Sequence, residues 1–238
     1  MLEAVIFDMD GVLVETESIH IMSWRLFAER HGIEFSEEYL RGLVGIAVAD
    51  NVVEIKRDFG LPEPNDQLVR EKNSIYLDYV RRLRPPPMDG FAEVVAEARR
   101  LGAKAAVATS SPRVQLDAVV DGALKAMGSP LAKEEFFDAL VTGEDAPRAK
   151  PAPDIYIETI RRLGVDPARS IAFEDSPAGV RAAVAAGLVT VAAPTKFTAH
   201  MEFPGAAAVI GSLREALDAG FYGLGDESAR CEGGGTDD

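Results

Sequence analysis

Short apolar runs that stop abruptly on polar residues recur along this chain. Residues 4–7 end at Asp8, and the same arrangement returns at 103–108, 139–141, 170–173 and 189–192. Runs this short, largely apolar and not alternating, read as parallel strands buried on both faces. Between them, apolar positions recur at helical spacing over about 91–101, 114–127, 154–163 and 178–186. Strand–helix alternation implies right-handed crossovers and predicts an α/β fold, a doubly wound parallel sheet with a Rossmann-like core. Ligands of such sheets sit outside the carboxyl ends of the strands, so the polar residues that end each run come first for inspection.

One stretch breaks the alternation. From about Glu15 to Arg84 the pattern is helical with no convincing strand. Ile19, Met22, Trp24, Leu26 and Phe27 mark one helix; Val52, Val53, Ile55 and Phe59 mark a second; residues 68–83 mark a third. Pro85-Pro86-Pro87 ends the stretch with a stiff return. The pattern predicts a catalytic core from 1–14 and 88–222, an inserted helical cap domain from 15–87, and a Gly-rich acidic tail over 223–238 that is too polar to pack. An insertion beside the ligand edge suits a lid, with hinges near 12–15 and 85–88.

Charge and composition narrow the function classes. A formal net charge of −14 argues against nucleic acid as partner. It also means that any anion site must be made positive locally, by lysine, metal or helix N-termini. No apolar run approaches the ~20 residues of a membrane span, and the start lacks the features of a signal peptide. The single cysteine, Cys231, allows no internal disulfide, so the expected setting is the cytoplasm, with no membrane partner.

Four strand ends carry candidate chemistry. The first reads Asp8-Met9-Asp10-Gly11, with two carboxylates on one side of an extended segment and a glycine for a sharp turn. Two like charges that close call for a cation between them or a raised pKa. The second reads Thr109-Ser110-Ser111-Pro112, hydroxyls at a helix start that can cradle an anion or simply cap the helix. The third places Lys150 before Pro151 and Pro153, a point charge on a stiff loop that is otherwise a solvated lysine. The fourth is Glu174-Asp175-Ser176-Pro177, a carboxylate pair suited to a metal, or else a helix cap at Asp175 or Ser176. Each alone is ordinary turn chemistry. A carboxylate pair, a hydroxyl, a lysine and a second carboxylate pair on one sheet edge, in that order, is not.

In these four motifs and their spacing the chain resembles the haloacid dehalogenase superfamily, in the phosphatase and phosphomutase branch with a small helical cap. The resemblance runs from Leu2 to about Gly220. It implies that Asp8 attacks phosphorus to give an aspartyl-phosphate and that Asp10 serves as acid and then base. It implies that Thr109 and Lys150 hold the transferring group. It also implies a Mg2+ site made by Asp8, Asp175, nearby Glu174 and the backbone carbonyl of Asp10. The expected activity is Mg-dependent hydrolysis of small phosphorylated metabolites by a monomer.

The segment from Glu15 to His20, followed by Trp24, is similar to the first cap helix of beta-phosphoglucomutases and sugar phosphatases, xylulose-bisphosphate phosphatases included. This makes a sugar phosphate the expected substrate and Glu17 and His20 candidate substrate contacts. The alternative is a beta-phosphoglucomutase-type activity. Those mutases carry an arginine where this chain has Val48, which cannot hold a distal phosphate. Their Ser-Lys-Asn segment reads here Ser111-Pro112-Arg113. Arg113 and Lys72, with Ser110 and Ser111, complete the candidate substrate contacts. A non-catalytic phosphometabolite-binding protein is a remote alternative, because all four charged motif positions are filled.

Overall fold

The computed structural model describes residues 1–43 and 46–218. The expected tail over 223–238, Cys231 and the Val44-Gly45 pair lie outside the described residues. The strands are β1 (Ala4–Phe7), β2 (Lys104–Ala108), β3 (Ala139–Val141), β4 (Ser170–Glu174), β5 (Val189–Ala192) and β6 (Ala208–Val209). The helices are α1 (Glu17–Arg30), α2 (Glu37–Gly42), α3 (Val48–Phe59), α4 (Asn65–Leu83), α5 (Phe91–Arg100), α6 (Arg113–Ala126), α7 (Lys133–Phe136), α8 (Asp154–Leu163), α9 (Pro177–Ala185) and α10 (Leu213–Asp218). Among the described residues no helix is long and apolar enough to cross a membrane.

The strands form one sheet in the order β3-β2-β1-β4-β5-β6, parallel at every pairing. β1 is central, and all four of its residues are buried, as its unbroken apolar sequence requires. Side chains alternate between faces. Val5 and Phe7 join Val107, Phe173 and residues of α5, α6 and α10 in one cluster. Ala4 and Ile6 join Ala106, Ala172 and residues of α8 and α9 in another. Sheet order reverses direction at β1: β2 and β3 lie on one side, β4 to β6 on the other. That reversal opens a crevice at the carboxyl end of β1.

The four helices between β1 and α5 form a layer with its own apolar cluster, which includes Trp24, Phe27, Leu40, Val52, Ile55, Leu68 and Ile75. α4 bridges the two units, because Tyr76 and Val80 belong to the main cluster instead. The chain enters and leaves this layer side by side. Met88 N–H donates to the Leu13 carbonyl at 2.8 Å, and Val14 pairs antiparallel with Pro87. The periodicity pattern did not reveal α2, α7, α10 or β6. They have six, four, six and two residues, too few for a period to declare itself.

Candidate active site

Asp8 follows β1 directly, and its N–H still donates to the Phe173 carbonyl of β4 at 3.0 Å. The chain then turns sharply. Gly11 N–H donates to the Val14 carbonyl at 2.8 Å, while the Leu13 and Val14 N–H groups both reach the Met9 carbonyl. Gly11 has φ of +82° and a Cβ there would fall 2.3 Å from Asp175 Oδ2, so the turn and the neighbouring carboxylate both require glycine.

Four charged groups, each at or beyond the carboxyl end of β1, β3 or β4, meet in this crevice. Lys150 Nζ donates to Asp8 Oδ1 at 2.6 Å, to Glu174 Oε1 at 2.6 Å and to the Ala108 carbonyl at 3.2 Å. Lys150 is therefore buried and paired, not a solvated loop lysine. Burial alone would lower its pKa, but Asp8 and Glu174 outweigh burial and hold it above the ordinary lysine value. Asp8, Glu174 and Asp175 are all buried, and each offers an oxygen within 4.8 Å of the others. Burial, reinforced by Asp8 and Glu174, pushes Asp175 well above the usual carboxylate range. A set of oxygen donors carrying this much unrelieved negative charge fits a hard divalent cation such as Mg2+.

The Asp10 side chain stands apart from that trio. Its Oδ1 accepts from the Thr16 hydroxyl at 2.5 Å and its Oδ2 from the Ser111 hydroxyl at 2.8 Å. Burial, reinforced by the Asp8 charge, raises its pKa against those two bonds. Ser111 is thus spent on Asp10 and does not cap α6. Ser176 does cap α9, accepting from Gly179 N–H at 3.1 Å. Buried Thr109 accepts from Ser111 N–H at 3.0 Å, while Ser110 is exposed. A recess of about 170 Å³ opens beside Lys150, walled in part by Ser110, Gly143, Glu144 and Arg148.

The helical layer brings a second polar group toward Asp10. Glu17 opens α1, and its Oε1 accepts from the Thr195 hydroxyl at 3.1 Å. Its Oε2 is buried with no hydrogen-bond partner, and burial raises its pKa to about 7. His20 stacks on Tyr76, with ring centroids 4.2 Å apart, and its Nδ1 lies 2.7 Å from Lys72 Nζ. Lys72 is fully buried, its ammonium 5.0 Å from the Trp24 ring centre and 5.1 Å from that of Tyr76. Burial lowers its pKa to about 7, against the pull of Asp10. Burial and Lys72 likewise lower His20, so the neutral imidazole accepts from the lysine.

Arg113 does not join these groups. Its guanidinium donates to the Leu140 carbonyl at 3.0 Å and to Asp145 at 3.3 Å, so its charge is already engaged. Residues that sequence reasoning missed include Thr16, which holds Asp10, Thr195, which holds Glu17, and Tyr156, whose hydroxyl lies 2.5 Å from Glu174 Oε1. Tyr156 alone had a usable signal. It falls on the buried stripe of α8 with Ile155, Thr159 and Leu163, and a buried phenol needs an acceptor.

Residues 2–187 match the model of the haloacid dehalogenase-like hydrolase family. Protein CbbY of Cereibacter sphaeroides is 32% identical over 230 residues, covering 94% of this chain and 97% of its own. A phosphorylated carbohydrates phosphatase of Thermotoga maritima is 32% identical over 193 residues, covering 79% and 82%. The crystal structure of a CbbY mutant from Rhodobacter sphaeroides with xylulose-(1,5)bisphosphate superposes with a TM-score of 0.82 at 30% identity, covering 94% of this chain and 99% of that one. The chain belongs to the haloacid dehalogenase-like hydrolases, in the branch that holds phosphatases and phosphomutases.

Proposed function

We propose that this phosphatase hydrolyses small phosphorylated metabolites, sugar phosphates above all, with Mg2+ and through an aspartyl-phosphate on Asp8. The observation that carries this reading is the Lys150–Asp8 contact of 2.6 Å beside the buried Asp8, Glu174 and Asp175 oxygens. A carboxylate held and oriented by a lysine is a ready nucleophile.

An Asp8 oxygen forms a bond to phosphorus while the bond from phosphorus to the ester oxygen breaks. Asp10, whose pKa is raised by burial, acts as the acid and gives a proton to the departing alkoxide. Thr16 and Ser111 hold that carboxyl in place from opposite oxygens. In the second half Asp10 takes a proton from water as the water oxygen attacks phosphorus, and the Asp8–phosphorus bond breaks to release phosphate. Lys150, Thr109 and backbone N–H groups at the start of α6 meet the charge on the equatorial oxygens. Mg2+ would be held by Asp8, Asp175 and the Asp10 carbonyl with Glu174 nearby, and supplies positive charge that offsets repulsion between nucleophile and phosphate.

The layer over 15–87 acts as the cap. Glu17, with one buried oxygen free, is assigned to a substrate hydroxyl, and Lys72 with His20 to an anionic group of the substrate. The sugar bisphosphate bound by the CbbY structure is the first compound to try. Val48, half-buried at the start of α3, offers no donor for a mutase's distal phosphate.

The deciding experiment is phosphate release from a panel of sugar phosphates and bisphosphates, with and without chelator, for the wild type and Asp8→Asn. Activity lost in both controls is the expected result. Failure to release phosphate from any of them, or conversion of β-glucose 1-phosphate to glucose 6-phosphate faster than phosphate release, overturns the reading.

A further inference from the structure

A buried phenol touches the charged cluster and has no part in the chemistry above. Tyr156 sits on the sheet-facing side of α8, six residues after Lys150, and is fully buried. Its hydroxyl donates to Glu174 Oε1 at 2.5 Å. The same oxygen accepts from Lys150 Nζ at 2.6 Å. The ring of Tyr156 also lies beneath that ammonium, 5.1 Å from its centre. Burial and the neighbouring Glu174 keep the phenol protonated, so it is a permanent donor.

Lys150 is contested. Asp8 and Glu174 both hold it at 2.6 Å, and only Asp8 is the nucleophile. A Glu174 with no other donor would carry its full charge toward the lysine. Its second oxygen has only a long contact, 3.4 Å from the Ser176 hydroxyl, so little charge is drawn off there. Nor can the carboxylate swing freely, because it packs on Gly179, where a Cβ would overlap it at 1.9 Å. A phenol donating to the shared oxygen weakens its pull on Lys150, while the ring steadies the ammonium from below.

We propose that Tyr156 is a positioning residue: it tempers Glu174 and seats Lys150, so that the ammonium stays directed at Asp8 and at the phosphoryl group transferred there. The kinetic part of this proposal rests on the phosphatase reading; the seating of Lys150 does not.

The test compares Tyr156→Phe, which keeps the ring, with Tyr156→Leu, which loses both ring and hydroxyl. A nearby packing control, Ile155→Val, changes buried volume alone. With p-nitrophenyl phosphate and Mg2+, Tyr156→Phe should lower kcat about tenfold with KM within about twofold, the size expected for one hydrogen bond to a charged group. Tyr156→Leu should lose about threefold more. Independently of turnover, the 15N signal of the Lys150 ammonium, assigned by its loss in Lys150→Met, should be sharp in the wild type. It should broaden in Tyr156→Phe through faster exchange with water. A Phe variant with full kcat, a kcat loss no larger than Ile155→Val shows for the same fall in Tm, or an unchanged Lys150 signal would each overturn the proposal. If the wild type hydrolyses no ester, the phosphatase reading fails and the ammonium signal alone decides the role of Tyr156. Should Tyr156→Phe not fold, 3,5-difluorotyrosine at position 156 replaces it. As a stronger donor it should move the Lys150 signal, and no movement refutes the assignment.

Discussion

Two lysines are buried in this protein within the electrostatic reach of Asp10, and the fold treats them in opposite ways. Lys150 in the core has two carboxylates at 2.6 Å and is held in its charged form. Lys72 in the helical layer has an imidazole and two aromatic rings, and burial brings its pKa down to about 7. Burial penalises both charges. Formal countercharge decides which one survives it. The core lysine is a fixed, matched charge. The layer's lysine is an unmatched one, and an anionic group arriving beside it would raise its pKa and recruit a proton.

Removing the matched charge should have the larger effect. Lys150→Met leaves Asp8 and Glu174 buried without a cation, which costs about 3–5 kcal/mol of stability. It should also cut kcat by about 10²–10³. Thermal melts and single-substrate kinetics check both. Retention of kcat within tenfold would show that the contrast between the lysines has no catalytic meaning.

Removing the unmatched charge should do the reverse. The folded pKa of Lys72, about 7, is below its unfolded value of 10.5, so the unfolded chain binds more protons between those limits and stability rises with pH there. Lys72→Met removes this penalty. Its gain should be largest below pH 7, about 3 kcal/mol once the lost contacts with the rings are set against it, and should vanish near pH 10.5. The same variant should raise KM for sugar bisphosphates about tenfold and leave p-nitrophenyl phosphate within about threefold. A uniform rise for both would place Lys72 outside the substrate site.

Mg2+ offers a gentler way to compare the two. At about 100 times its Kd it should stabilise the fold by about 2.7 kcal/mol, by relieving Asp8, Glu174 and Asp175. Asp175→Asn should abolish that gain, and Lys72→Met should preserve it. Calorimetric melts with and without chelator read both.

The smallest effect concerns Glu17, whose pKa rises from 4.5 unfolded to about 7 folded. Its protonated form suits the buried site, so its contribution is complete below pH 4.5 and is lost as pH climbs through 7. Glu17→Gln should therefore raise Tm at pH 8, by about 2 kcal/mol of stability, and leave it unchanged at pH 4.5. An equal shift at both pH values would refute the buried-carboxyl account.

Legibility in the sequence followed the physics of each part. The central strands announced themselves because burial on both faces demands unbroken apolar runs, as in Ala4 to Phe7. The charged groups were readable because they sit at the ends of those runs, where topology makes distant segments neighbours. Asp8 and Lys150 are 142 positions apart and still meet. Supporting contacts were not readable in this way. Thr16 reaches Asp10 only through the geometry of the turn at Gly11, and Thr195 meets Glu17 from a loop with no periodic pattern. Arg113 shows the limit from the other side: its charge suits an anion, but Asp145 and a carbonyl had already claimed it.

The paired connections at Leu13–Val14 and Pro87–Met88 bear on how such a protein can change over time. The segment between them leaves and rejoins the core through two lengths of chain stitched together by a hydrogen bond of 2.8 Å. Its ends therefore meet, as the ends of a hairpin do. A different segment of almost any length can be grafted at that seam without altering strand order or the spacing of Asp8 and Asp10. The graft must meet one condition, which is to cover the apolar surface that Ile19, Tyr76 and Val80 now shield. The helical insert and the charged sheet edge can in this way be inherited separately, one exchanged while the other is kept.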